Sequence, residues 1–285
     1  MRLRAATFNI RKGKAWDGLD SWPLRRAATA EAVARLHADV VGLQEVHGFQ
    51  QHDLLRRLPG YAACGAGRDD GDERGERCAI LYDGRCLALE RSTTRWFSDT
   101  PDVPGSVSWG EPPPRVATLA WFAERARAAS GGGAAGSPTR FAVANVHWDG
   151  ASAAARERSA ETLLQWIDDG LPWLVLGDLN TTADDAGVRR RLAAGLRDPL
   201  GNLGAGGPGA GTHHHWDGRT DWTRIDFVLM TMEWHVRSAA VIQDPVHGRL
   251  PSDHWPVVAS LELPRGGGIP GRGAVKAGDA GTADA

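Results

Sequence analysis

Six short runs in this 285-residue chain rise in hydrophobicity and then stop on a polar side chain of a particular kind. They read TFN at 7–9, LQE at 43–45, NVHWD at 145–149, GDLN at 177–180, RID at 224–226 and SDH at 252–254. Every one ends in, or contains, an acid, an amide or an imidazole. Taken singly, an aspartate after a strand is more often a turn or cap residue than a ligand. Together, the six are accounted for most simply if the strands lie side by side and bring these ends to one edge, where open sheets commonly build their sites.

Alternating apolar residues predict strands at 3–10, 40–44, 78–82, 115–122, 141–147, 173–177, 225–230, 234–241 and 257–263. A helix is predicted over 23–37, with Ser21 near its start, Pro23 in its first turn and an apolar stripe at Leu24, Ala28, Val33 and Leu36. Residues 153–167 and 184–192 read as further helices. The strand, helix, strand opening places Asn9 and Glu45 at the ends of neighbouring strands. Many strands with interspersed helices predict two stacked sheets flanked by helices, an α/β sandwich. The length exceeds one average domain, but folds of this kind reach it on one core, so one domain is expected over 1–264. Gly-rich stretches at 130–138 and 201–211 read as loops. Residues 265–285 lack apolar periodicity and are expected to form a disordered, dispensable tail.

The formal net charge of -2 and the pI of about 6.6 exclude a global basic field for duplex DNA. Lysine occurs only at Lys12, Lys14 and Lys276, and the abundance of arginine is read as coding-sequence composition. Cys64, Cys78 and Cys86 have no CxxC spacing, which argues against a disulfide framework and a thiolate zinc site. No leader or membrane-spanning segment is read from the sequence, so a cytoplasmic protein, monomeric and without membrane partners, is the expectation.

Carboxylates and an amide are hard oxygen ligands, suited to Mg²⁺ or Mn²⁺. GDLN offers Asp178 to orient or deprotonate water, with Asn180 two residues on. A buried Asp226 beside His254 would hold the imidazole and favour its protonated state. Metal, water activator and charged imidazole together fit phosphoryl transfer to water.

The ordered set N, QE, H, GDxN, ID and SDH resembles the endonuclease/exonuclease/phosphatase superfamily, whose fold is that of deoxyribonuclease I. The resemblance covers about residues 3–263 and closes with SDHWPVVASLEL. It implies a catalytic domain over 1–264 and a four-layer α/β sandwich of two stacked mixed β-sheets flanked by helices. It also implies Glu45 and Asp253 as metal ligands with Asn9 beside them, Asp178 and Asn180 on water and phosphate, and Asp226 orienting His254. His147 stands where the phosphatase and deadenylase branches carry a histidine that touches the scissile phosphate. DGLDSW at 17–22, GAGRDDGDERGE at 65–76, FSDTPDVPGS at 97–106 and HWDGASAAARERSAETLL at 147–164 resemble a bacterial subgroup of hydrolases that includes sugar-phosphate phosphatases. There the histidine motif continues Leu-Asp-His, whereas here it reads His147, Trp148, Asp149, Gly150.

Arg68, in a Gly-rich loop, and Arg115, after PPP, are candidates for bidentate pairing with phosphate. In the tract His213, His214 and His215, a substrate-facing loop is preferred to a zinc site, with His214 as the substrate-binding candidate. Trp16, Trp22, Trp96, Trp109, Trp148 and Trp216 lie near the candidate site loops, where stacking on a sugar or base competes with core packing. The expected function is a Mg²⁺- or Mn²⁺-dependent phosphomonoesterase acting on a small phosphorylated metabolite such as a sugar phosphate. The alternatives are a nuclease or phosphodiesterase, then a binding protein with a dead site. The last is disfavoured because every expected catalytic position holds a competent residue.

Overall fold

Strand after strand is apolar on both faces, and each face must then be covered by another layer. The computed structural model describes residues 1–125, 138–207 and 209–264, without the side chains of Arg189 and Arg191. It meets that demand with two mixed sheets stacked face to face and helices on both outer faces. This is the architecture expected from the sequence.

The first sheet uses β1 (Arg2–Asn9), β2 (Val40–Val46), β3 (Tyr61–Cys64), β4 (Arg77–Asp83), β10 (His235–Val241) and β11 (Val257–Glu262), in the order β10-β11-β1-β2-β4-β3. The second uses β5 (Leu87–Trp96), β6 (Val116–Glu124), β7 (Arg140–His147), β8 (Trp173–Asp178) and β9 (Asp226–Met230), in that order. The pairs β1/β2 and β7/β8 are parallel and the others antiparallel. Between the sheets, Leu3, Val40, Ile80, Phe122, Phe141, Val143, Leu174, Leu176 and Trp234 form one core. On the outer faces, α1 (Trp22–Arg35) and α2 (Gly48–Leu55) pack on the first sheet. The second is covered by α3 (Ala153–Trp166) and α4 (Ala186–Leu192). A one-turn helix, α5 (Pro199–Asn202), opens the 201–211 stretch that had been read as a loop.

Two details position the site. The sheets approach so closely at Gly42 that an added Cβ would lie 2.7 Å from Leu176 Cβ and 2.8 Å from Asn145 Oδ1. Inward positions also change character along each strand. β1 runs Leu3, Ala5, Thr7, Asn9, β7 runs Phe141, Val143, Asn145, His147, and β8 runs Leu174, Leu176, Asp178. At that polar end Gln44 Nε2 donates to Thr7 Oγ1 (3.0 Å) and Asn145 Oδ1 (2.6 Å), and Asn145 Nδ2 donates to the carbonyls of Leu43 and Ala79. The sandwich is oil at one end and a hydrogen-bonded floor at the other.

The helix expected over 23–37 forms, and Ala28, Val33 and Leu36 of the predicted stripe are buried, with Leu24 the exception. Leu24 is 53% exposed, while Trp22, Arg25, Thr29, Ala32 and Val33 are buried, a face that follows the three-and-four spacing from Trp22. The loop expected at 130–138 falls mostly in 126–137, and the expected tail is 265–285. Both segments lie outside the described residues. No helix among the described residues is long and apolar enough to cross a membrane.

Candidate active site

Register alone assembles half of the site. His147 pairs with Asp178 across β7/β8, and Asp178 with Asp226 across β8/β9, so three chemistry-bearing residues stand on adjacent strands. Asn9 sits opposite Gln44 across β1/β2. Glu45 would point to the other face of β2 by simple alternation. A register irregularity between Leu43 and Val46, with Glu45 at a φ of 61°, redirects it toward Asn9.

Asn9 Nδ2 donates to Glu45 Oε1 (3.2 Å) and Asp178 Oδ2 (3.0 Å), joining the two sheets, and Glu45 Oε2 accepts from the Lys12 amide (2.9 Å). Asn9 Oδ1 accepts from the Arg11 amide (3.0 Å). Asn9 was expected beside the ion as an oxygen donor. In this arrangement its Nδ2 orients two carboxylates, while its Oδ1, which accepts one hydrogen bond, keeps a second lone pair. Ser252 Oγ donates to the Asn9 carbonyl (2.7 Å) and to Asp253 Oδ1 (3.2 Å), tying the SDH loop to the end of β1.

His254 Nδ1 is 2.9 Å from Asp226 Oδ2, both side chains being buried, and its Nε2 lies 4.0 Å from Asp178 Oδ2. Burial alone would strip the His254 proton, but Asp226 first, then Asp253 and Asp178, hold it, and the imidazole is raised to about 10. Burial and the charge of Asp226 push Asp178 up to about 7. Burial pushes His147 down to about 3, and its Nε2 lies 3.6 Å from Asp178 Oδ2. Glu45 is held at about 2 against burial by the imidazoles of His147 and His254, the Lys12 amide and Asn9. At neutral pH the pair is therefore an ionised Glu45 beside a neutral His147. Asn180 completes this floor: its amide donates to Asp178 Oδ1 (2.9 Å) and its Nδ2 to the Trp148 carbonyl (2.9 Å).

Among the described residues, ligand-type atoms converge within 4.8 Å in two groups, Asp178 with Asp226 and His254, and His213 with Asp253 and His254. The first is the protonated ion pair just described, and a protonated imidazole has no lone pair for a metal. In the second, Asp253 and His213, whose imidazole burial pushes down to about 4, keep lone pairs, and Glu45 adds a further hard carboxylate positioned by Asn9 and the Lys12 amide. Cys78, the nearest thiol, is pushed up to about 12 by burial and is no thiolate. This donor set fits a hard divalent cation.

Arg68 and Arg115 border a space of about 10 Å³ together with Glu45 and His147. Arg68 is paired with Glu76 at 3.0 Å, and Arg115 lies 3.9 Å from Asp149. Both carboxylates were missed as site residues, although they lie within quoted motifs. On the opposite side a cleft of about 560 Å³ is bordered by Asn180, Thr181, Asp184, His213, His215 and Trp222, among others.

The histidine tract corrects one expectation. Residues 213 and 254 form an antiparallel bridge, and side chains alternate along such a pairing. His213 therefore faces the site, stacked on His254 at 4.3 Å with its Nε2 3.9 Å from Asp253 Oδ2. His214 points the other way, is fully buried and packs on Trp255 at 4.5 Å. The imidazoles that border the cleft are those of His213 and His215, while His214 is buried away from it. Among the tryptophans, Trp22, Trp96 and Trp148 are buried and Trp16 is 90% exposed, whereas Trp222, which had not been singled out, borders the cleft.

The model of the Endonuclease/Exonuclease/phosphatase family matches residues 6–254, from the first catalytic strand through His254. The chain belongs to the endonuclease/exonuclease/phosphatase family. Among solved structures, an endonuclease/exonuclease/phosphatase from Bacteroides vulgatus is similar at a TM-score of 0.81 and 30% identity, covering 93% of this chain and 100% of that one. A mannosyl-6-phosphatase from Bacteroides thetaiotaomicron VPI-5482 is similar at a TM-score of 0.79 and 28% identity, covering 92% of this chain and 100% of that one. A curated relative, an uncharacterized protein of Acanthamoeba polyphaga mimivirus, is 27% identical over 156 residues, 52% of this chain. The match spans 54% of that relative, so the chain covers about half its length. As a member of this family, the chain is a hydrolase.

Proposed function

We propose that this family member is a Mg²⁺- or Mn²⁺-dependent phosphomonoesterase acting on a small phosphorylated metabolite such as a sugar phosphate. The cleft of about 560 Å³ beside Asn180 and His213 carries this reading. It has the volume of a small-molecule site, one aromatic wall at Trp222, and the carboxylates of Asp184 and Asp185 on its border. Among the described residues no lysine or arginine lines it. A polyanion tracking through the site would need a series of cationic contacts. The similar mannosyl-6-phosphatase supports the same class of substrate.

The chemistry follows from the protonation states. Asp178 is carboxylate-bearing, near-neutral in affinity for a proton and hydrogen-bonded by Asn9 and Asn180, so it accepts a proton from the attacking water. His254, kept charged by Asp226, presents its Nε2 toward the same point and stabilises charge gathering on phosphoryl oxygen. Neutral His147 offers a second imidazole contact to phosphate. Glu45 and Asp253 would hold the divalent ion, which when bound neutralises phosphoryl oxygens.

A screen of phosphomonoesters, phosphodiesters and oligonucleotides with Mg²⁺ or Mn²⁺, with and without chelator, tests the reading. The expected result is fastest turnover on a small phosphomonoester, abolished by chelator, with Glu45→Gln lowering the rate and weakening the metal response. Full turnover in excess chelator overturns the metal assignment, and faster cleavage of oligonucleotide than of every monoester overturns the substrate assignment.

A further inference from the structure

We infer that Arg25 is a positioning residue for the ion-binding end of the site, clamping the two chain segments that carry Asn9 and Asp253. It is 0% exposed, on the inner face of α1, yet among the described residues no carboxylate lies within ion-pair distance of it. Its guanidinium makes four hydrogen bonds to carbonyl oxygens instead. Nε donates to Asp20 (2.7 Å), Nη1 to Ile10 (2.8 Å) and Pro251 (3.1 Å), and Nη2 to Arg11 (2.9 Å). Trp22 and Trp216 lie over it, with ring centroids 5.1 and 5.4 Å from its central carbon.

The acceptors are not scattered. Ile10 and Arg11 directly follow Asn9, and Arg11 turns the chain with a φ of 55° while its amide holds Asn9 Oδ1. Pro251 directly precedes Ser252, whose hydroxyl bonds the Asn9 carbonyl and Asp253 Oδ1. Thr29, one turn further along α1, reinforces the grip by donating to the same Pro251 carbonyl at 2.6 Å. Trp216 belongs to the loop that presents His213. One planar fork thus fixes the β1 exit and the SDH loop relative to each other, and stands beneath the third loop.

Carbonyls accept these hydrogen bonds without neutralising the charge, which leaves a buried cation behind the acidic residues Asp253, Asp17 and Glu45. A solvated partner could not hold three carbonyls of two segments in one plane, and neither could lysine, whose donors radiate from a single atom. Removing the fork therefore loosens the distance between the carboxylates that hold the ion, before it touches substrate contacts.

This inference rests on the proposed metal dependence, and the test separates the two. Mn²⁺ binding is measured by calorimetry on the full chain, beside steady-state kinetics at saturating metal and thermal melting. Arg25→Lys, which keeps the charge and loses the fork, is expected to weaken Mn²⁺ binding about tenfold and to lower kcat to a similar degree, as loss of outer contacts to metal ligands does. KM should stay within about twofold, because the phosphate contacts lie elsewhere. Arg26→Ala, at the exposed neighbouring position, should leave all three values unchanged. If Arg25→Lys does not fold, Thr29→Val removes only the second donor to Pro251 and should weaken Mn²⁺ binding about threefold. Unchanged Mn²⁺ affinity in Arg25→Lys, or in Thr29→Val where the lysine variant fails, overturns the inference alone even if the melting temperature falls. A parent chain that binds no Mn²⁺ overturns the metal reading and this inference with it.

Discussion

Arg68 and Arg115 stand on one wall of the site, and Trp222, Asp184 and Asp185 on the other. The first wall is tight and cationic; Arg68 is held in advance by Glu76 at 3.0 Å, and Arg115 lies 3.9 Å from Asp149. The second is open, aromatic and acidic. On the proposed function, a phosphoryl group would meet the first at its rim, since the space it encloses, about 10 Å³, holds no more than a water. The second suits what the phosphate is attached to, an uncharged hydroxylated group, and repels a further phosphate. The floor between them, Asp178, Asp226 and His254, belongs to neither wall, and His147 joins it to the first.

If that division holds, damage to the floor acts equally on every ester. Asp226→Asn and His254→Ala are each expected to lower kcat about a thousandfold on all phosphomonoesters, the scale of a lost general acid or base. The double mutant should fall little further, because the buried pair acts as one unit. Multiplicative losses in a double-mutant cycle would show two independent groups.

Damage to the cationic wall should be milder and equally indifferent to the alcohol. Arg68→Ala or Arg115→Ala should raise KM about tenfold with kcat nearly unchanged, since a fixed guanidinium binds ground state and transition state alike. A fall in kcat at constant KM would mean that the wall acts only in the transition state.

The opposite wall should discriminate. Trp222 is 43% exposed, and its indole is anchored by a 2.8 Å bond to Asp217. Trp222→Ala should cost about fivefold in kcat/KM for a sugar phosphate, the scale of one aromatic contact, and nothing for a short alkyl phosphate. Equal losses on both substrates would show that the ring supports the fold rather than the leaving group.

The floor and the walls were not equally legible in sequence. Asn9, His147, Asp178 and Asp226 end inward-facing registers, so alternation and strand pairing sufficed to bring them together. Glu45 was marked by its place at the end of the second strand, but the irregularity that turns it toward Asn9 is something alternation does not encode. His213 was passed over for His214 because the choice depends on which face of a bridge to residue 254 looks inward. Arg25 is indistinguishable in sequence from Arg26, and one helical step decides that the first is buried and the second exposed. β5 was missed because its central residues, Glu90 through Thr93, are polar and exposed at the edge of the second sheet. α2 starts at a glycine and buries only Gln50 and Leu54, too little for a helical stripe.

The smallest expected effect separates the walls from a nucleic-acid groove. A protein that neutralises six to ten phosphates loses about 10³ to 10⁵ in affinity between about 50 and 200 mM salt, because each contact releases condensed counterions. Here one wall offers two arginines, each beside a carboxylate, and the other offers carboxylates. A monoester carries a single phosphate and no condensed counterion atmosphere to release. The apparent affinity for the best substrate should therefore fall less than about threefold over that salt range. Initial rates at sub-saturating substrate, measured across the range at constant Mg²⁺, check it. A steep log-log slope would place several phosphates against cations, and the acidic cleft could not then be the path of the substrate.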